Sequence, residues 1–178
     1  MSMRKLAFAA LLLAAPAAQA ESPNLGPNLG RPATPAEVAG WDISIAPDGK
    51  TLPKGSGSVP QGAAVFARAC EACHGAAGSG GPIQIPLVGG VGTLASAKPV
   101  RTVASYWPYA TTLFDYVRRA MPYVAPQSLT DSEIYAVSAY LLSIDGIVAK
   151  DAVLDAKSLP RVKMPNANGF ITAWPEPR

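Results

Sequence analysis

Both cysteines and the only histidine of this 178-residue chain lie within five residues, Cys70-Glu71-Ala72-Cys73-His74. A C-x-x-C-H run is the attachment signature of a c-type haem, in which two thiols add across the vinyl groups and the adjacent imidazole ligates the iron. A chain that carries it must fold around a flat apolar group bonded to its own cysteine side chains. No second histidine exists to take the other axial position, so a methionine or water must. The other readings of the motif are weaker. Structural zinc wants four nitrogen or sulfur ligands and only three are available. A thioredoxin-like dithiol would open a helix after a strand, whereas here the pair closes a helical pattern. A bare disulfide leaves His74 unexplained.

The N-terminus gives the compartment. Arg4 and Lys5 precede an apolar run from Leu6 to Ala15, and Ala18-Gln19-Ala20 is a small-x-small cleavage site. This pattern predicts a secretory signal peptide over residues 1–20, because the apolar run is shorter than the ~20 residues that span a bilayer. The expectation is a soluble, periplasmic mature chain starting at Glu21, without a membrane anchor. That chain has 13 Lys and Arg against 12 Asp and Glu, and no basic stripe. Such near-neutral charge gives little attraction for phosphate, which argues against nucleic acid as a partner.

Composition divides the rest. Residues 21–58 contain six prolines and six glycines with no sustained helical period, and read as an extended arm. Within it, Trp41, Ile43 and Ile45 alternate ahead of the turn Pro47-Asp48-Gly49-Lys50, a short extended piece whose apolar residues predict that this part of the arm docks on something. A first helix is predicted from about Pro60, capped by Ser58, with Gly62, Val65, Phe66 and Ala69 on one face. Seven glycines and two prolines make residues 75–95 a loop. A second helix, from Thr111 or Thr112 to Ala120, is stopped by Pro122. Thr130-Asp131-Ser132-Glu133 is a capping box opening a third helix that runs towards Gly146. Beyond Lys150 the pattern decays into a tail. The organisation is therefore a small all-α domain over residues 59–148, with an arm at 21–58 and another at 149–178.

Two methionines outside the signal peptide offer a thioether, Met121 and Met164. Met121 follows the second helix directly and precedes Pro122, where the backbone must leave helical geometry, and position favours it. Met164 lies in the C-terminal arm, from which reaching the iron means threading the tail across the haem face. A methionine at a helix end is most often core filler, and the weight on Met121 comes from the lack of another good candidate.

C-x-x-C-H, a glycine-rich loop, Met-Pro after a helix and a last helix set to pack on the first together resemble the class I cytochromes c. More narrowly, Gly55-Ser56-Gly57-Ser58, the block Ser105-Tyr106-Trp107-Pro108-Tyr109-Ala110-Thr111-Thr112-Leu113-Phe114-Asp115-Tyr116, Arg118-Arg119-Ala120-Met121-Pro122, and Met164-Pro165-Asn166 through Gly169-Phe170 are similar to the haem domain of the sulfur dehydrogenase cytochrome subunit of the bacterial sulfur-oxidation (Sox) system. The cytochrome subunit of periplasmic sulfite dehydrogenase is similar over the core. That Sox subunit typically carries a second cytochrome domain, and these 178 residues hold a single C-x-x-C-H.

The resemblance implies an all-α class I cytochrome c fold, three to five helices around one covalently bound haem c, with extended N- and C-terminal arms. It further implies thioether bonds at Cys70 and Cys73, His74 as proximal ligand and Met121 as distal ligand. A carbonyl of the following loop, Pro86 or else Pro82, would accept from the second imidazole nitrogen. Arg101, Tyr106 and Trp107 would be donors to the haem propionates, although a solvated arginine and core aromatics describe them equally well. As partners it implies a molybdenum-cofactor sulfite or sulfur dehydrogenase subunit and a downstream cytochrome or oxidase. With both axial positions filled, no free histidine and no free thiol, the expected role is electron transfer without catalysis. A free-standing cytochrome shuttle is the alternative, and an open-site haem enzyme or gas sensor a weaker one.

Overall fold

The computed structural model describes residues 30–81, 86–171 and 174. The signal-peptide reading and Pro82 fall outside them. The elements in order are α1 (Pro35–Trp41), β1 (Ser56–Ser58), α2 (Val59–Ala69), α3 (Glu71–His74), α4 (Val103–Tyr106), α5 (Ala110–Ala120), α6 (Asp131–Ile144) and β2 (Val153–Asp155). One-turn 3₁₀ segments at Ala76–Gly78 and Leu159–Arg161 complete the set. The expected all-α architecture holds, with one small sheet added.

Local chemistry accounts for the helix starts. Ser58 accepts from the Gln61 amide while the Gln61 side chain returns to Ser58, and Thr130 with Glu133 does the same for α6. Such a box satisfies two of the four orphan amides at a helix start. The long helices then bury one face each. Val65 and Phe66 of α2, Leu113, Phe114 and Val117 of α5, and Ile134, Tyr135, Val137, Leu141 and Leu142 of α6 share one core. Inside it the Phe114 and Tyr135 rings lie 4.5 Å apart, and the Tyr135 hydroxyl reaches out to donate to the Pro53 carbonyl at 2.9 Å.

The crossing of α2 over α6 depends on a missing side chain. A Cβ at Gly62 would fall 1.9 Å from the Ala136 carbonyl oxygen and 2.7 Å from Tyr140 Cβ. Backbone therefore meets backbone there, and Phe66, one turn on, reaches the Tyr140 ring at 5.4 Å.

Both arms depart from the sequence reading. The N-terminal arm is not extended throughout: Thr34-Pro35-Ala36-Glu37 is a third capping box, with proline in the first turn, and it starts α1. Composition hid a signal of the kind recognised at Thr130. Trp41 ends this helix and is 88 % exposed in this chain, whereas Ile45 is buried and Ile43 half-buried. The C-terminal segment is not a tail. Its strand β2 pairs antiparallel with β1, Gly57 opposite Leu154, and Leu154, Leu159 and Met164 belong to the core. Leu154, Leu159 and Met164 are spaced five apart, which matches neither the helical nor the strand period.

Candidate functional site

The motif sits where α2 breaks. Cys70 is the C-cap of α2, its N–H bonded to the Phe66 carbonyl at 2.8 Å, and its φ/ψ of −126°/−37° redirect the chain into the single turn of α3. The Cys70 carbonyl then accepts from both Cys73 (3.2 Å) and His74 (3.0 Å), so both sulfurs and the imidazole ride on one hydrogen-bonded turn. Gly75 ends that turn at φ +73°, a left-handed conformation. A Cβ there would fall 2.1 Å from the Gly80 carbonyl oxygen, and the Gly80 N–H closes the loop on the His74 carbonyl at 2.9 Å.

Burial pushes the Cys70 thiol up to about 11, only partly opposed by Arg68, so the free thiol is not an activated one. Burial also holds the His74 imidazole below its ordinary range, leaving it neutral, the form that ligates iron. Among the described residues no three His, Cys, Asp or Glu side chains cluster as a metal site would require. The His74 Nδ1 atom is buried and has no hydrogen-bond partner among the described residues. Pro86 lies on the surface with its ring against Gly80, and no bond joins it to that nitrogen. A pair of thiols and a neutral imidazole on one turn is a donor set that fits a covalently held haem.

Cys70, Leu87, Val88, Trp107 and Met121, from separate elements, are each partly buried against the core. The glycine-rich loop is tied into place from both sides: Leu87 donates to the Gly78 carbonyl (2.8 Å) and accepts from the Val103 amide (3.1 Å), and the Gly89 N–H is clasped by both Asp145 carboxylate oxygens. A fourth capping box, Thr102 with Ser105, starts α4 against this loop, and Thr102 Oγ1 donates to the Gly89 carbonyl at 2.6 Å.

Met121 is the C-cap of α5, at an extended φ/ψ of −120°/145°. Met164 is 4 % exposed and packed with the core, so its thioether already has a structural use. Arg101 and Tyr106 are brought together, the guanidinium carbon 5.6 Å from the ring centroid. They line a cavity of about 340 Å³ with the C-terminal residues Asn166, Gly169 and Phe170. Asn166 Nδ2 donates to the Tyr106 carbonyl at 2.7 Å and Phe170 meets the Tyr106 ring edge-on. Trp107 turns the other way, onto Tyr116. Sequence reasoning had not singled out Asp115, Asn166 or Asp145, since each acts on backbone distant in sequence.

Comparison with known proteins fixes the class. Residues 59–145 match the family model described as cytochrome c. In fold and sequence the chain is similar to a chain of the sulfane dehydrogenase SoxCD from Paracoccus pantotrophus, at 43 % identity and a TM-score of 0.76, over 82 % of this chain and 72 % of that one. Among curated proteins none matches. The chain therefore belongs to the cytochrome c family, and its cofactor is a covalently attached haem c. Within that family it is an electron carrier structurally close to a chain of the SoxCD enzyme.

Proposed function

We propose that this protein is the periplasmic electron-transfer subunit of a sulfite or sulfane-sulfur dehydrogenase, taking electrons from a molybdenum-cofactor catalytic subunit and passing them towards the respiratory chain. The observation that carries this reading is the extent of the likeness to the SoxCD chain. It spans 82 % of the sequence, far more than residues 59–145, so it includes arm segments that a generic cytochrome c domain lacks. In this reading the subunit itself does no bond-making chemistry, and no anchor remains once residues 1–20 are cleaved. No helix among the described residues is long and apolar enough to cross a membrane.

In this reading Cys70 and Cys73 hold the haem through thioether bonds, His74 ligates its iron from one side and Met121 from the other. Haem supplies a one-electron iron couple, and histidine–methionine ligation raises its potential relative to bis-histidine. The protein's part is to hold these side chains on short, capped turns, to exclude water with Leu87, Val88 and Trp107, and to place Arg101 and Tyr106 as donors for propionates. The carbonyl that orients His74 belongs to the loop holding Pro82 and Pro86.

The test is native purification from the source periplasm under mild conditions, followed by stopped-flow reduction. Haem absorbance should co-elute with a molybdenum-containing polypeptide, and sulfite or a sulfane-sulfur donor should reduce the haem only in that fraction. Haem eluting solely as a monomer, reduced by neither donor in any fraction, favours the diffusible shuttle and sinks the subunit reading.

A further inference from the structure

Helix α5 is held from two sides. Leu113, Phe114 and Val117 bury it in the core, while Thr111, Asp115 and Arg118, spaced four and then three and so on one face, turn towards the N-terminal arm. All three bond arm backbone. Thr111 Oγ1 donates to the Pro47 carbonyl (3.3 Å), Ile45 N–H donates to Asp115 Oδ1 (2.8 Å), and Arg118 Nη1 donates to the Ile43 carbonyl (3.2 Å). Ile43, Ile45 and Pro47 are spaced by two, Pro47 opening the turn that Gly49 N–H closes on the Ala46 carbonyl, and the buried Ile45 side chain seals the junction. Asp115 is the centre of this strap. It is only 9 % exposed, and its other oxygen takes Arg119 Nη2 at 2.5 Å.

We propose that the strap, acting through Asp115, is a positioning device for Met121 as iron ligand. This rests on the reading of Met121 as distal ligand given above. Met121 lies six residues beyond Asp115 at the end of the same helix, and the chain beyond it offers little hold: Tyr123 and Val124 are 83 % and 89 % exposed. An outside ligand can replace the thioether only if the end of α5 swings away, and such local opening is governed by the contacts that restrain that segment. Met121's own packing on the core and an ion pair from Arg118 to Asp131 of α6 (3.5 Å) give part of that restraint, and the strap upstream gives the rest.

The experiment is a titration of the ferric holoprotein with imidazole, followed by loss of the sulfur-to-iron charge-transfer band, with a thermal melt of each variant alongside. Asp115→Ala should bind imidazole about tenfold more tightly than the wild type, the size expected on removing one charge-assisted hydrogen bond that favours the closed form. Asp115→Asn keeps an acceptor for Ile45 and should stay within about threefold of the wild type. Arg118→Met should shift in the same direction as Asp115→Ala but less. If Asp115→Ala lowers the melting temperature while its imidazole affinity stays at the wild-type value, the carboxylate is merely structural and the proposal is overturned. An Asn variant that behaves like Ala overturns it too. Should Asp115→Ala fail to accumulate with haem, Arg118→Met decides, and an unchanged affinity there counts against the strap. Met121→Ala separates the two layers: a band that survives it refutes the ligand reading and the strap with it, whereas a band that vanishes leaves the strap to stand or fall on the titration alone.

Discussion

Replacing Gly62 by alanine tests the fold at its tightest point. The new methyl would lie 1.9 Å from the Ala136 carbonyl oxygen and 2.5 Å from its carbon. Both obstacles are backbone of α6, so no side chain can rotate away, and α2 must move off by more than about 1 Å to restore an ordinary contact. Overpacking of this kind costs about 1–3 kcal/mol, and a backbone obstacle puts it at the upper end. Against this, alanine in a helix interior gains about 1 kcal/mol over glycine. The net loss is about 2 kcal/mol, which in a chain of this size lowers the melting temperature by about 4–8 °C. Thermal unfolding of the ferric holoprotein by far-UV circular dichroism reads it. Gly40→Ala is the internal control, because a Cβ there meets nothing within 4 Å and should not lower the melting temperature. A Gly62→Ala melting temperature equal to or above that of the wild type would refute the backbone-on-backbone crossing.

Further outcomes follow from the site and the core. Met121→Ala should abolish the sulfur-to-iron charge-transfer band, whereas Met164→Ala should keep it and lose about 2–5 kcal/mol in urea unfolding, because Met164 is buried in the core; the reverse pattern would exchange their roles. Burial pushes the Tyr135 hydroxyl up to about 12, helped by nearby Asp131 and Asp155. The folded form thus keeps a proton that the unfolded chain gives up near its ordinary value of about 10, and stability is complete below pH 10 and falls as pH rises through 12. Tyr135→Phe should remove that part of the alkaline loss in unfolding measured at pH 9 and 11, and an unchanged slope would show the alkaline loss to come from other groups. Glu37 is held down to about 2 by Arg31 first and by the Thr34 amide next. Its support of α1 is present above the ordinary carboxylate range and is lost as pH falls through about 2, so the protection of the Val38 amide, its exchange taken relative to the intrinsic rate at each pH, should fall between pH 4.5 and 2. Protection that is flat across this range would show that the box does not hold α1.

Most of the helical frame was legible in the sequence because its signals are local. Capping at Ser58 and Thr130, the stop after Ala120 and the apolar faces of α2, α5 and α6 each depend on residues within one or two turns. The same rule finds α1 at Thr34-Pro35-Ala36-Glu37, inside an arm judged by composition, whereas α4 starts at Thr102 with Ser105 in the place of the usual Glu or Gln and carries no such signal. Strand β2 had no comparable signal. It pairs three residues with β1 across nearly a hundred positions, and its apolar residues do not alternate long enough to show a period.

The candidate site divides along the same line. Cys70, Cys73 and His74 share one turn, and thioether and imidazole chemistry needs only their adjacency, so the sequence alone determined that haem is bound covalently and where. It also bounded the second ligand, because Met121 and Met164 are the methionines outside residues 1–20. Tertiary structure decided which thioether is built into the core, how the glycine-rich loop is clasped by Asp145 and Thr102, and that the arm grips α5 through Asp115. Those contacts join side chains to backbone atoms 13 to 70 positions away. A backbone amide or carbonyl carries no residue identity, so nothing in the letters marks it as a partner until the fold has brought the two together.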